Sequence, residues 1–169
     1  MIEKITLDHF TIAKMRSEDL QDVLTISTSF PLVPWTERMF LEEMANPLSY
    51  CFVAKLGGNQ GSSVIGFICF RNVADESELL HLCVHPQHRQ KGVGKRLMQF
   101  YVDFCIQRGI HSFYLEVDPS NRPALHLYKG FSYQPLKVRK NFFQGNREGW
   151  VMVKETLKSQ WHGNSMEGY

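Results

Sequence analysis

The chain has 169 residues, 43% of them hydrophobic and 21% charged, which is enough apolar material for one domain with a sizeable core and too much for a disordered segment. A net charge of +2 is too small to argue for nucleic acid on its own, so an anion would have to be held by local design. No apolar run approaches the roughly 18 residues of a membrane helix, and residues 1–5 carry an acid without an apolar core, so neither a membrane span nor a secretory leader is expected.

Taken in chain order, residues 9–15 alternate like a first strand. Ser17 followed by acids reads as an N-cap opening a helix over 19–27, which residues 30–34 break. Thr36 and Glu37 open a second short helix that stops before Pro47. Residues 50–56 and 64–71 form a hairpin around a turn rich in Gly, Asn and Ser. Residues 78–84 are nearly continuous in apolar side chains and read as a central strand. From Gly92 to Arg108, Val93, Leu97, Phe100, Tyr101 and Phe104 mark one helix face, closed by Gly109. A strand at 112–117, a helix over 121–129 with Pro123 in its first turn, and a hairpin of 133–143 with 149–154 complete the pattern. One domain over 1–157 is expected, with a polar, frayed tail at 158–169.

Cys51, Cys69, Cys83 and Cys105 are widely spaced among apolar residues, as buried side chains are in a reducing cytoplasm, and not as a disulfide framework or metal site would be. His85-x-x-His88 lacks Cys, Asp or Glu partners nearby and reads as a loop, so no metal is expected.

The informative junction runs Val84-His85-Pro86-Gln87-His88-Arg89-Gln90-Lys91-Gly92-Val93-Gly94-Lys95. A strand ends, a loop reverses the chain, and a helix begins at two glycines one residue apart. Such a turn points several N–H groups at one spot, where the helix dipole adds to the attraction for an anion. Arg89, Lys91, Lys95 and Arg96 supply counter-charge. Leu97 stands where a dinucleotide fingerprint has its third glycine, and no Gly-Lys-Ser/Thr of a Walker loop is present.

What remains, R-x-x-G-x-G after a strand, resembles the signature of the GNAT acetyltransferase superfamily, which binds the pyrophosphate of coenzyme A. The resemblance extends over roughly 30–157, through Pro34-Trp35-Thr36-Glu37, Asp75-Glu76, Leu115-Glu116-Val117, Asn121-x-x-Ala124, Leu127-Tyr128 and Arg139-Lys140-Asn141-Phe142-Phe143. It is most similar to the ribosomal-protein-alanine N-acetyltransferase (RimI-type) branch. The resemblance implies an α/β (α+β) fold with a mixed, mostly antiparallel twisted sheet of about seven strands flanked by about four helices. It also implies acetyl-CoA as donor, held by the backbone of Leu82, Cys83 and Val84, by Arg89, Gln90, Lys91, Gly92, Val93, Gly94 and Lys95, and by Asn121. Glu116 falls on the branch's proton acceptor and Tyr128 on its proton donor, with Glu78 and His81 as further candidates for the base. Trp35, Glu37, Asn141, Phe142 and Phe143 are expected to line the acceptor groove. Phe131-Ser132-Tyr133 stands where the family has Leu-Gly-Phe, so the turn into the next strand is expected to differ, because serine reaches positive φ less cheaply.

An amine attacks a thioester only as the free base. At pH 7 an α-amine with a pKa near 7.8 is about 14% neutral and a lysine near 10.4 about 0.04%, a gap of about 3.5 kcal/mol. Modest base catalysis therefore suits an α-amine. Glu116 would take the ammonium proton, and the Tyr128 phenol would protonate the departing thiolate. No Ser-His-Asp or Cys-His pattern is evident, so direct transfer in a ternary complex is expected rather than an acetyl-enzyme. The acceptor is read as a protein N-terminus, with a small amine (polyamine, amino acid or aminoglycoside) as the alternative. A non-catalytic acyl-CoA sensor is disfavoured by the presence of both Glu116 and Tyr128. Neither nucleic acid nor membrane is expected as a partner, and the chain is read as a monomer or homodimer.

Overall fold

A computed structural model describes residues 10–29, 34–58, 61–143 and 147–156. Its elements run β1 (Phe10–Lys14), α1 (Leu20–Thr28), α2 (Glu37–Ala45), β2 (Ser49–Gly58), β3 (Gly61–Val73), β4 (Glu76–Val84), α3 (Val93–Ile106), β5 (Ser112–Val117), α4 (Arg122–Gly130), β6 (Gln134–Phe143) and β7 (Arg147–Glu155). The expected order of elements holds throughout. Residues 30–33, on which the break after the first helix was placed, lie outside the described residues, as does the tail at 158–169.

The start of α1 differs from expectation. Ser17 does not cap it; Ser17–Asp19 form a 3-10 turn, and the Asp19 carboxylate accepts from the Arg16 backbone N–H at 2.9 Å. Asp19 is buried and ion-pairs with Lys55 of β2 at 2.6 Å, which ties the turn to the sheet. Thr36 does cap α2, accepting from the Met39 N–H at 3.3 Å, and Asn121 caps α4, accepting from the Ala124 N–H at 3.2 Å.

The seven strands form one sheet in the order β1-β2-β3-β4-β5-β7-β6, so β4 is the middle strand. Every neighbouring pair is antiparallel except β4 and β5. One face carries α3 and α4 over a core that includes Ile68, Phe70, Leu79, Leu97, Met98, Tyr101, Phe113 and Leu115. The other carries α1 and α2 over Val23, Ile26, Phe40, Val53, Phe67 and Cys69. All four cysteines are free and buried.

Two irregularities in the sheet position the site. First, Cys69 pairs with His81 but Phe70 pairs with Leu79, so Leu80 is an extra residue in β4. Strand alternation would put Glu78 and His81 on opposite faces; the bulge puts them, with Cys83, on the α1/α2 face. Second, the parallel ladder runs only from Glu76↔Ser112 to Leu79↔Leu115. β4 continues to Val84 and β5 to Val117 without pairing, so the two strands part just beyond the bulge.

Candidate active site

The loop from β4 to α3 is built by its own backbone. The His85 N–H donates to the Ile65 carbonyl at 2.9 Å, and Pro86–His88 form a 3-10 turn. Gln90 (φ 57) and Gly92 (φ 84) are left-handed, and Gly92 is the N-cap of α3. The first α3 bond runs from the Arg96 N–H to the Gly92 carbonyl at 3.0 Å. The N–H groups of Val93, Gly94 and Lys95 thus precede the helical ladder and point out of its start. A Cβ on Gly94 would meet Leu127 at 3.6 Å and Val84 at 3.7 Å, ordinary contacts, so the protein itself does not require glycine there. A ligand approaching the backbone closely would. This donor set and the bare backbone at Gly94 fit a pyrophosphate.

Not all of the expected counter-charge faces this spot. Arg89 donates from Nε to the Val84 carbonyl at 3.0 Å and from Nη2 to Ser29 Oγ at 3.1 Å, so it fastens the loop to β4 and α1. The Arg96 guanidinium lies over the Phe10 ring, 4.1 Å from its centre. Lys91 and Lys95 are exposed beside the helix start. Gly66 of β3 escaped the sequence reading. It lies opposite Val84, and a Cβ there would come within 3.0 Å of the Cys83 carbonyl oxygen and 3.3 Å of both Leu97 and Val93. Its missing side chain is what lets the first turn of α3 settle on the sheet.

Leu82, Cys83 and Val84 form the edge of β4 that faces the opening to β5. Cys83 is buried and its thiol is pushed up to about 12 by burial, so it stays protonated. Tyr128 of α4 is buried, and burial together with the neighbouring Cys83 thiol lifts its phenol above the usual range. Asn121 spends its side-chain oxygen on capping α4, so its amide nitrogen is the end that could reach a ligand.

Glu116 of β5 lies on the α1/α2 face with Tyr114 and Glu78, since Glu78 pairs with Tyr114. A groove of about 310 Å³ on this face is lined by Arg71, Glu76, Glu78, Tyr114, Glu116 and Lys137, among others. Glu116 ion-pairs with Arg139 of β6 through Oε1. Glu78 stands at the rim, its carboxyl raised by desolvation and by the nearby Glu116. Arg71 joins Glu78's surroundings to α2 by pairing with Glu43.

His81 is packed among aromatic rings. Its ring is stacked on Trp35 at 5.1 Å and on Phe67 at 5.2 Å, and burial lowers its pKa to about 4. Its Nε2 lies 3.4 Å from Ser27 Oγ, which also accepts from the Trp35 backbone N–H at 3.3 Å. Trp35 is therefore an anchor for the segment entering α2, and Glu37 stands exposed at the start of that helix. Asn141, Phe142 and Phe143 end β6, but their side chains lie outside the described residues. The structure thus gathers Glu116 and Glu78 on one groove, with Cys83 and Tyr128 together where β4 and β5 part. Arg139 was visible only as part of a motif; the alternation of Lys137 and Arg139 along β6 is the signal that both face the groove. Among the described residues no cluster of three His, Cys, Asp or Glu side chains is placed to hold a metal, and no helix is long and apolar enough to cross a membrane.

The model of the Acetyltransferase (GNAT) family matches residues 20–133. A Bacillus subtilis protein that carries the provisional name [ribosomal protein bS18]-alanine N-acetyltransferase is 31% identical over 149 residues, spanning 85% of this chain and 96% of its own length. The crystal structure of the Escherichia coli ribosomal-protein-S18-alanine N-acetyltransferase superposes with a TM-score of 0.78 at 24% identity, covering 87% of this chain and 94% of that one. Ard1 from Thermoplasma volcanium superposes with a TM-score of 0.80 at 23% identity, covering 88% and 98%.

Proposed function

We propose that this chain, which belongs to the acetyltransferase (GNAT) family and is an acetyl-CoA-dependent N-acetyltransferase, acts on the α-amine of a protein N-terminus. The observation that carries the reading is the groove on the α1/α2 face, with Glu116 and Glu78 on its floor and rim beside the point where β4 and β5 part. The name of the Bacillus subtilis relative supports the same acceptor. So does the free-base argument, because a carboxylate can take a proton from an α-amine far more readily than from a lysine.

The reaction would run as follows. The backbone N–H groups at the start of α3, with Lys91 and Lys95, hold the pyrophosphate of acetyl-CoA. The unpaired edge of β4 at Leu82, Cys83 and Val84 lies along the pantetheine arm, where an N–H can polarise the thioester carbonyl. Glu116 takes the proton of the acceptor ammonium. The amine nitrogen bonds to the acetyl carbon, the C–S bond breaks, the Tyr128 hydroxyl gives its proton to the thiolate, and the second proton shed by the new amide nitrogen restores the phenol through solvent. Burial that raises the phenol also raises the basicity of a thiolate leaving beside it, so the transfer is not opposed by burial of the donor alone. A protonated Cys83 supports direct transfer over an acetyl-enzyme. By the family resemblance, Trp35, Glu37, Asn141, Phe142 and Phe143 are the residues that would meet the peptide. The run of every described strand through one sheet supports a single catalytic domain over 1–157. Free, buried cysteines support a reducing cytoplasm.

Coenzyme A release from acetyl-CoA, measured against N-terminal peptides, polyamines, amino acids and aminoglycosides, tests the acceptor. Turnover confined to the peptides is expected; turnover confined to small amines would replace this reading with the small-molecule one. Tight acetyl-CoA binding without turnover on any amine would make the chain a sensor.

A further inference from the structure

Glu116 and Glu78 lie close enough on the groove face for Glu116 to raise the Glu78 carboxyl. Two neighbouring carboxylates oppose each other's ionisation, so a base placed there needs a cation to hold it charged and aimed. The charged and titratable groups around it come from every strand that meets the groove. β3 offers Arg71, which is already paired with Glu43 of α2. β4 offers Glu76 and Glu78, β5 offers Tyr114, and β6 offers Lys137 and Arg139. β7, between Glu116 and β6, presents Val151. Arg139 lies opposite Gly149 of β7, which has no side chain to stand between its guanidinium and Glu116.

The pair is half-open: the Arg139 side chain is 51% exposed and that of Glu116 is 21% exposed. A pair so wet contributes little to stability, so its consequence is local. The contact is made by Nη1 to Oε1 of Glu116.

We propose that Arg139 is a positioning residue for the transfer, holding Glu116 by Oε1 so that its carboxylate is kept on the groove beside Glu78. This rests on the reading of Glu116 as the base. Arg139 touches neither the thioester nor the amine in this role and acts only through Glu116.

The test compares wild type, Arg139→Gln and Arg139→Lys in the pH dependence of kcat/KM for an N-terminal peptide. In Arg139→Gln the acid limb is expected to move up by about one pH unit, a loss of about 10-fold below that limb, with the KM for acetyl-CoA unchanged. Arg139→Lys, which restores the charge, is expected to return the limb toward wild type. A readout free of turnover is the titration of the Glu78 carboxyl carbon by NMR, which is expected to rise in Arg139→Gln because Arg139 lowers it in the wild type. A profile that merely scales without moving, or a Glu78 titration that stays in place, would overturn the proposal while leaving the base reading intact. Full turnover by Glu116→Gln would overturn the base reading itself, and this role with it.

Discussion

His81 is held in a box of Trp35, Phe40 and Phe67, and burial there costs it its proton down to a pKa of about 4 from 6.5. The folded state therefore binds this proton more weakly than the unfolded chain does. The stability tied to neutral His81 is complete above pH 6.5 and falls as pH drops through 6.5 towards 4, by up to about 3 kcal/mol. Thermal melts across that window are expected to show a decline in Tm that is largely absent in His81→Phe; equal slopes in both proteins would contradict this account. Ser132 makes a second residue-level case. Serine there adopts φ 66, the conformation glycine favours, between Phe131 and Tyr133. A left-handed non-glycine residue costs about 1–2 kcal/mol, and glycine gives back about 0.5–1 kcal/mol in chain entropy. Ser132→Gly is expected to stabilise the fold by about 0.5–1 kcal/mol, read as a higher urea midpoint; a lower midpoint would count against a strained serine. Glu116 stands out in the sequence as a lone acid in an apolar strand and Tyr128 as a tyrosine at the end of an amphipathic helix, while the roles proposed for them come from the family resemblance. The fates of Arg89 and Arg96 were not legible there, because their partners Ser29 and Phe10 are distant in sequence.

At the scale of the element, the central feature is β4 with the helix that follows it. The hydrophobic periods were enough to place β4, β5 and α3, since each buries a continuous apolar face. The bulge at Leu80 was not legible, because it is a property of pairing with β3 and not of the β4 sequence. The same holds for the end of the β4–β5 ladder after Leu79, which opens the site. Gly66 couples these elements, since any side chain there meets the Cys83 carbonyl and α3 at once. Gly66→Ala is expected to destabilise the protein by about 1–3 kcal/mol and to weaken acetyl-CoA binding by displacing the start of α3. Calorimetry of acetyl-CoA binding on the folded variant checks the second part, and unchanged affinity would show that the helix start does not depend on this contact. Gly92→Ala acts on the same element differently. There is open space around Gly92, so only its φ of 84 resists a side chain, and a loss of about 1–2 kcal/mol is expected without steric disruption of the sheet.

Across the whole molecule, the proposed mechanism uses one sheet to hold donor and acceptor apart until they meet at one place. In that mechanism the α3/α4 face would supply the helix start for the pyrophosphate and Tyr128 for the thiolate. The α1/α2 face supplies the groove with Glu116, Glu78 and Arg139. The parting of β4 and β5 is where, in that mechanism, a thioester along β4 would come within reach of an amine in the groove. The proposed mechanism predicts discrimination among amines by how readily they lose a proton. A peptide bearing one free α-amine and one internal lysine puts that claim to a direct test. After incubation with acetyl-CoA and the enzyme, fragmentation in a mass spectrometer locates the acetyl group. The α-amine is predicted to carry it, with loss of the product when Glu116 is replaced by glutamine. Acetylation of the lysine in its place would contradict the account.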